Sequence, residues 1–484
     1  MTNNYWENLT GIDQYIIKNA PLSPFLDIKH ALKSKVSNKI DPAAVLSVLM
    51  KNYSIGDRTL VSGINKLPWM SKVEYGSIVN ASLPTHGEVN LSEDDVSDKL
   101  IELMKLEALN FLANKTSVGI LLSGGMDSRI IAAVIKKLQD EGLYTGTVTA
   151  LTWGIDNCRD VVYAKRIADT YNWDFNHFII TPETLLENIK IAGVRGAEYS
   201  PVHLHAMPSI ANFAGLDGVL AGSYGDSIGR GEYSGRKVGQ LPSLLSKHLN
   251  EHSFLLKSVE NKYINVLHKD ILDSRNRFPG RSETAYREIE MQMHYMRRQL
   301  NSCMSIIDEN IPLYQMFTAP DVFGFIWSLS PKCRTDGIYE LMLKKLSSNM
   351  LDIPWARDGK IYNKANSSAL DTLNKSYHRY GDWLRNDNRE FVVEQITNGN
   401  LASLNIFNEK ALKFWCKNWR DDNRARADRL DEKMAWLASL SIFVGKYDIK
   451  GLAVKTDNSI LDSARLLKAR VHESLYYTAT KLKK

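Results

Sequence analysis

The six residues SGGMDS at positions 123–128 have the composition of a phosphate-binding turn. They follow an apolar run, VGILL, and precede the helical periodicity of RIIAAVIKKL. Gly124 and Gly125 permit a tight turn whose N–H groups can approach an anion, and the positive end of the next helix favours negative charge there. The two serines add hydroxyl donors, whereas Asp127 suits a phosphate site only if it holds Mg²⁺. The alternative is a plain glycine turn with a capping serine.

Alternating strands and helices position this turn. Downstream lie a strand (TVTALTW), a helix (DVVYAKRIADTYN), a strand near FNHFII and an apolar strand that runs into a glycine turn (LDGVLAGSYGDS). Upstream, SEDDVSDKLIELMKLEALNFLANK predicts an amphipathic helix with Ser92 as its N-cap. This alternation predicts the α/β class with a doubly wound parallel sheet.

The rest of the chain frames this domain. Residues 1–95 predict a small α+β leading unit, residues 96–370 the main domain, and residues 371–484 a helical C-terminal region. From about residue 240 the pattern is mostly helical. The basic amphipathic end, LLKARVHESLYYTATKLKK, predicts a solvated helix, with docking of a partner as the alternative.

Bulk composition excludes several classes. Of 484 residues, 44% are hydrophobic and 24% charged, and 61 Lys and Arg against 55 Asp and Glu give a formal charge of +6. That charge is too small and too dispersed to indicate a nucleic-acid binder. No secretory signal or membrane span is evident, so we expect a cytoplasmic protein. The four cysteines lack zinc or disulfide spacing and are expected to be reduced: Cys158, Cys303, Cys333 and Cys416.

The motif and its surroundings resemble a known family. SGGMDS looks like the pyrophosphate-binding loop of the ATP pyrophosphatases (the PP-loop superfamily), and LLSGGMDSRIIAAVI resembles the asparagine synthetase family within it. Further similar stretches are residues 41–68, RDVVYAKRIADTYNW, ENIPLYQMF and LMLKKLSSNMLDIPWARDGK, so the likeness covers roughly residues 40–365. It implies an adenine nucleotide α-hydrolase-like sheet, a leader similar to the end of a glutaminase domain, and ATP at the carboxyl ends of the strands.

The resemblance also implies a site. Asp127 and Asp226 would hold Mg²⁺ and neutralise the leaving pyrophosphate. Lys360, preceded by Trp355 and Arg357, takes the place of the family's catalytic lysine, although the match contains an apparent two-residue insertion. One alternative is that Arg357 takes this role, and another is that Lys360 is an ordinary surface lysine. The implied nucleotide-binding positions are Leu121, Ser123, Gly124, Gly125, Asp127, Ser128, Thr152, Trp153 and Gly222.

Two departures from the family bear on the reaction. Thr2 follows Met1 and no cysteine precedes Cys158, so we expect no glutaminase nucleophile, and nitrogen from ammonia, an amine or a partner protein. Ser223 stands where asparagine synthetases carry a catalytic glutamate, and a serine is no base at neutral pH. β-Lactam synthetases, carbapenam synthetases and lasso-peptide cyclases also lack that glutamate.

Three other positions have open roles. β-Lactam synthetases use a tyrosine–glutamate pair as the base. Tyr199 and Glu232 lie in broadly similar places in this sequence, and Glu198 is another candidate for the glutamate. The alternative is that these are ordinary loop residues. Arg129 lies in the first turn of the predicted helix. We expect its side chain either to contact a phosphate or a substrate carboxylate, or to face solvent. The third is the pair His203 and His205, which could line a substrate pocket, although a structural role is more common and metal ligation is not indicated.

The sequence therefore predicts an ATP-dependent, AMP-forming ligase that adenylates a small-molecule or peptide carboxylate for attack by an amine. The expected cofactors are ATP and Mg²⁺. A partner protein or a homodimer is compatible with the pattern, whereas nucleic acid and membrane are not expected. The alternatives are an ammonia-dependent asparagine synthetase and a non-catalytic descendant that binds nucleotide or a partner.

Overall fold

The computed structural model describes residues 13–34, 38–229, 235–240, 244–245, 250–361, 372–419, 427–454 and 459–482. The first part contains two short helices and two antiparallel strand pairs, β1 with β2 and β3 with β4. Their bounds are β1 (Tyr15–Ile17), α1 (Ile28–Lys33), α2 (Pro42–Lys51), β2 (Ile64–Lys66), β3 (Ser71–Glu74) and β4 (Ser77–Asn80). This is the α+β unit expected at the start of the chain.

A five-stranded parallel sheet forms the centre, in the order β7-β6-β5-β8-β9. Chain order reverses at β5, whose neighbours are β6 and β8, so the sheet has a switch point there. The strands and the helices between them are α3 (Glu93–Leu112), β5 (Ser117–Leu121), α4 (Met126–Asp140), β6 (Thr147–Gly154), α5 (Arg159–Tyr171), β7 (Asp174–Ile179), α6 (Pro182–Val194), α7 (Met207–Ala211), β8 (Gly218–Ala221) and β9 (Leu313–Gln315).

Apolar side chains cover both faces of the sheet. One face packs with α3, α4 and α5 through Val118, Ile120, Val148, Ala150 and Leu220. The other packs with α7 and α10 (Ser302–Asp308) through Leu121, Leu151, Val219, Ala221 and Leu313. Strands buried on both faces are apolar at successive positions, as in VGIL. The predicted doubly wound parallel sheet is confirmed.

Ser92 caps α3 as predicted, since its hydroxyl accepts a hydrogen bond from the Asp95 N–H at 3.1 Å. Beyond β8 the described residues are mostly helical and include one strand, β9, that the sequence pattern did not indicate. The remaining helices are α8 (Lys257–Asn276), α9 (Glu283–Glu290), a π-helical stretch (Met291–Asn301), α11 (Pro320–Ser328), α12 (Gly337–Ser347), α13 (Tyr380–Arg385), α14 (Arg389–Thr397), α15 (Glu409–Asn418), α16 (Arg429–Tyr447) and α17 (Ser459–Leu482).

The N-terminal unit and the C-terminal helices share one hydrophobic core. Buried residues of α2, among them Val45 and Leu46, belong to the same cluster as Trp436 and Leu437 of α16. The Trp436 indole N–H donates to the carbonyl of Ala197 at 2.7 Å. The boundaries near residues 95 and 370 stay predictions, and α2 and α16, from the first and last of the predicted units, share this core.

All four cysteines carry free thiols, as expected. Within the described ranges, every helix is too short or too polar to traverse a lipid bilayer.

Candidate active site

The turn between β5 and α4 is held by its own serines. The Ser128 hydroxyl accepts from the Ser123 N–H at 3.1 Å, and the Ser123 hydroxyl accepts from the Gly125 N–H at 3.1 Å. Gly125 is the N-cap of α4 and has no side chain with which to cap the first N–H groups. A Cβ there would meet one atom within 4 Å, the Ser123 hydroxyl oxygen at 3.0 Å. The first turn of α4 can therefore serve an anionic ligand.

Gly124 is required because neighbouring residues leave no space for a side chain. A Cβ at Gly124 would lie 2.8 Å from the Cβ of Ala356 and 3.0 Å from Cδ2 of Tyr163. The Gly124 carbonyl accepts from the Ala356 N–H at 3.1 Å. The missing side chain lets the segment leading to Lys360 lie directly on the turn.

Arg129 fits neither of its expected roles. Its guanidinium is fully buried and donates to the carbonyls of Met350 (2.8 Å), Ile353 (2.7 Å), Pro354 (3.0 Å) and Gly124 (3.2 Å). Burial lowers its pKa to about 10. Arg129 reaches backbone carbonyls rather than a phosphate or solvent, and it ties the turn to residues 350–354.

The two predicted magnesium-binding turns converge. A Cβ on Gly225, the residue before Asp226, would lie 2.6 Å from Cβ and 2.7 Å from Oδ1 of Asp127. A Cβ on Gly222 would lie 2.7 Å from the Asp127 carbonyl carbon and the Ser128 nitrogen. Glycine at both positions brings the end of β8 against the first turn of α4, and both aspartates are half-buried.

This donor set fits Mg²⁺ held together with phosphates. Mg²⁺ in nucleotide sites takes one or two protein carboxylates, with waters and phosphate oxygens completing its shell. Across the described residues, no group of three or more His, Cys, Asp or Glu side chains could form an all-protein metal site. Asp127 and Asp226 would hold the ion, in the way the resemblance implies.

The strands beside the turn end in apolar and aromatic residues. Leu121 ends β5 and pairs with Leu151 of β6 and Ala221 of β8. Thr152 is buried, whereas Trp153 is half-buried and its ring lies nearly parallel to that of His205, with centroids 6.2 Å apart. An adenine or ribose bordered by Trp153 remains a prediction.

The segment around Lys360 covers this edge of the sheet. Trp355 and Lys360 pair as an antiparallel bridge, and the Trp355 N–H donates to the Lys360 carbonyl at 2.7 Å. Lys360 is half-buried, and its ammonium forms no ion pair with any described residue. The alternative, Arg357, is exposed and stacks on Trp355 at 4.2 Å.

Two contacts near the turn could not be predicted from the sequence. The carboxylate of Asp160, in the first turn of α5, faces the Gly124 N–H, and burial raises its pKa to about 6. The Ile155 N–H donates to the Tyr377 carbonyl at 2.9 Å, which places residues 374–380 over the end of β6. Only the tertiary packing reveals either contact, because the residues lie far apart in the chain.

Of the predicted Tyr199–Glu232 base pair, Tyr199 lies within the described residues and Glu232 does not. Tyr199 is buried with Tyr53 and Cys303, and burial raises its pKa, which disfavours proton acceptance. Glu198 is bound by Arg298 at 2.7 Å. Glu232 lies outside the described residues, so a pair of Tyr199 with Glu232 stays a prediction, one that the burial of Tyr199 disfavours.

Ser223, in the place of the family's glutamate, contacts an apolar cluster through Met304. Its hydroxyl donates to the Met304 sulfur at 3.8 Å. Met304 belongs to the cluster that also contains Leu121 and Ala221. A weak thioether partner does not activate a hydroxyl, so Ser223 offers no proton acceptor.

Comparison with known proteins covers this same region. Residues 108–301 match the family model described as asparagine synthase, which confirms the resemblance for the segment that contains the phosphate turn and both aspartates. Among solved structures, an NMN synthetase from Francisella tularensis is similar at 19% sequence identity and a TM-score of 0.21, over 49% of this chain and 94% of that chain. No curated protein is significantly similar to the chain.

Proposed function

Because residues 108–301 match the asparagine synthase family model, we propose that the protein adenylates a substrate carboxylate with ATP and transfers the acyl group to an amine. The carboxylate oxygen bonds to the α-phosphorus and pyrophosphate leaves. The amine nitrogen then bonds to the acyl carbon, and AMP leaves with the former carboxylate oxygen. The products are an amide, AMP and pyrophosphate.

One observation carries the proposal: the Asp127 side chain lies against the turn that bears Asp226. An anionic carboxylate that attacks an anionic phosphate meets strong repulsion unless the charge is neutralised. Mg²⁺ supplies that neutralisation when bound with ATP. The contact between the Asp127 side chain and the turn that bears Asp226, beside a glycine turn and a helix start without a side-chain cap, supports this use.

The chain's own groups take distinct roles in the proposal. The turn at 123–128 binds the phosphates through N–H and hydroxyl donors, and Trp153 borders the nucleoside. Lys360 stabilises the negative charge that develops on the α-phosphate during adenylation and on the acyl oxygen in the tetrahedral intermediate. The buried Arg129 and the close contact at Gly124 fix the distance between the turn and the segment that carries Lys360.

An amine is favoured over ammonia as the nucleophile because Ser223 faces Met304 where the family has a glutamate. An ammonia-dependent asparagine synthetase remains the second candidate. A non-catalytic descendant is the third, and the convergence of the two aspartate turns disfavours it. Cytoplasmic location and a partner protein or homodimer belong to the proposal as expectations.

The first test is a thermal-shift titration with ATP and Mg²⁺, followed by ATP–pyrophosphate exchange with a panel of carboxylic acids. We expect ATP with Mg²⁺ to raise the melting temperature of the wild type, and Asp127→Asn and Asp226→Asn to lose most of that rise. Asp169→Asn, an exposed aspartate on α5, is the matched control and should behave as wild type. Equal rises in all four proteins would contradict the proposal, and exchange with aspartate and amidation by ammonia alone would select the second candidate.

A further inference from the structure

The amine that attacks an acyl-adenylate must lose a proton, and Ser223 and the buried Tyr199 are poor acceptors for it. Amines are largely protonated at neutral pH, and the nitrogen becomes more acidic as it bonds to carbon. The proton acceptor must therefore be another group that reaches the amine and is neutral before the reaction. The imidazole of His205 lies beside Trp153 at the carboxyl end of β6.

His205 has a strained backbone. Its φ is +46° and its ψ is −125°, a region that non-glycine residues rarely occupy. The buried Asn188 side chain donates to the His205 carbonyl at 2.9 Å and holds this conformation. Strain that the surroundings maintain is typical of functional positions, where a side chain must be aimed.

The strained backbone places the His205 ring beside the nucleotide edge. The ring lies 6.2 Å from that of Trp153 and 5.4 Å from that of Tyr377, measured between centroids. The next two residues, Ala206 and Met207, pack with Leu121 and Ala221 at the carboxyl ends of β5 and β8. His205 is thus anchored at the same edge of the sheet as the phosphate turn.

One ring nitrogen of His205 is fixed and the other is available. Nδ1 lies 2.8 Å from the Tyr380 hydroxyl oxygen. No described residue hydrogen-bonds to Nε2. In the tautomer with its proton on Nδ1, His205 donates to the Tyr380 oxygen, and Nε2 keeps a lone pair, which is the arrangement of a base oriented by a third group.

The surroundings keep the imidazole neutral before the reaction, at the cost of making it a weaker proton acceptor than an ordinary histidine. Burial lowers the pKa of His205 well below its usual value, and the neighbouring His203 and His378 lower it further. The other groups that face the ring are the hydroxyls of Tyr377 and Tyr380 and the indole of Trp153, none of which carries a charge at neutral pH. The carboxylate of Glu432 lies beyond His203, at 3.7 Å from its ring.

We propose that His205 is the catalytic base of the amidation step, which accepts the amine proton on Nε2, and that Tyr380 is the positioning residue that orients its ring. This inference rests on the proposed function. As the C–N bond forms and the C–O bond to AMP breaks, the proton moves from nitrogen to Nε2 and then to solvent. Adenylation itself releases no proton to the protein, so His205 is not needed for the first half-reaction.

The test separates the two half-reactions in His205→Gln, with the acid that gives the strongest ATP–pyrophosphate exchange in the wild type. We expect exchange to stay within about threefold of wild type, while amide formation falls about 100-fold or more, the usual range for loss of a general base. Hydroxylamine is largely unprotonated at neutral pH, and its weakly basic nitrogen, once bonded to the acyl carbon, can lose its proton to solvent, so it should restore acyl transfer as the hydroxamate. Tyr380→Phe should lower amide formation by a smaller factor and leave exchange intact.

The matched control is His268→Gln, the same change on the exposed face of α8, which should leave both half-reactions unchanged. Normal amide formation in His205→Gln would overturn the inference. A parallel loss of exchange and amide formation, or no rescue by hydroxylamine, would also overturn it, since His205 would then serve binding or folding. Absence of exchange in the wild type with every acid would remove the proposed function itself, a result that is distinct from these.

Discussion

At the scale of single residues, Arg129 shows how a charged side chain can serve the site without touching a ligand. Its four hydrogen bonds are all to carbonyls, three of them in residues 350–354 and one in the phosphate turn. A planar guanidinium can bridge several carbonyls at fixed angles, which a lysine ammonium cannot do equally well. The side chain therefore makes the turn and the segment leading to Lys360 move as one unit.

Replacement of this side chain should uncouple the two segments. In Arg129→Met, buried carbonyls lose their donors at about 1–3 kcal/mol each, so we expect the free energy of unfolding to fall by at least about 2 kcal/mol. In the wild type, ATP with Mg²⁺ should slow hydrogen exchange in residues 121–128 and 350–361 together. In the variant, only the turn should be protected. Arg129→Lys should be intermediate, and protection of both segments in Arg129→Met would refute the coupling.

At the scale of elements, the site is made by two strand–turn–helix connections that meet at the switch point of the sheet. The end of β8 lies against the first turn of α4 because Gly222 and Gly225 have no Cβ. Neither glycine has a positive φ. Their requirement is therefore one of space, and it is what brings Asp226 to Asp127.

A single methyl group should separate the two turns. In Gly222→Ala the new Cβ would lie 2.7 Å from the backbone of Asp127 and Ser128. The β8 turn must move away, and a displacement of about 1 Å can cost up to about 100-fold in a positioned site. We expect ATP–Mg²⁺ affinity, measured by calorimetry, to fall about tenfold or more. Gly239→Ala, where a Cβ meets nothing within 4 Å, is the control, and equal affinities would disprove the close-contact argument.

The local parts of this arrangement could be predicted from the sequence. The apolar runs of β5, β6 and β8, the cap at Ser92 and the glycine turn each express a short-range rule. Strand β9, only three residues long, could not be predicted, because its pairing with β8 depends on residues about 90 positions earlier. The burial of Tyr199 and Arg129 and the strained turn at His205 likewise depend on packing between distant segments, which no local pattern encodes.

At the scale of the whole molecule, described segments of the leading unit and of the C-terminal region pack into one body with a shared core. Residues of α2 and α16 lie in one core, and the Arg58 guanidinium bridges Asp41 of the leading unit to Asp270 of α8, with the Asp41 contact at 2.7 Å. The strained connection that carries His205 runs between α6 and α7 and contacts this body through Tyr380. Its geometry therefore depends on C-terminal packing.

Loss of one central side chain should test this dependence. Trp436 is 1% exposed, and Trp436→Ala should lower the free energy of unfolding by about 3–5 kcal/mol, the usual cost of such a cavity. Because α2 and α16 share a core, hydrogen exchange in residues 42–51 should accelerate together with that of residues 429–447. The equivalent truncation at Leu475, which is 66% exposed, should leave both segments unchanged. Acceleration confined to α16 would mean that the leading unit is stable by itself, and the position of His205 would then owe nothing to the shared core.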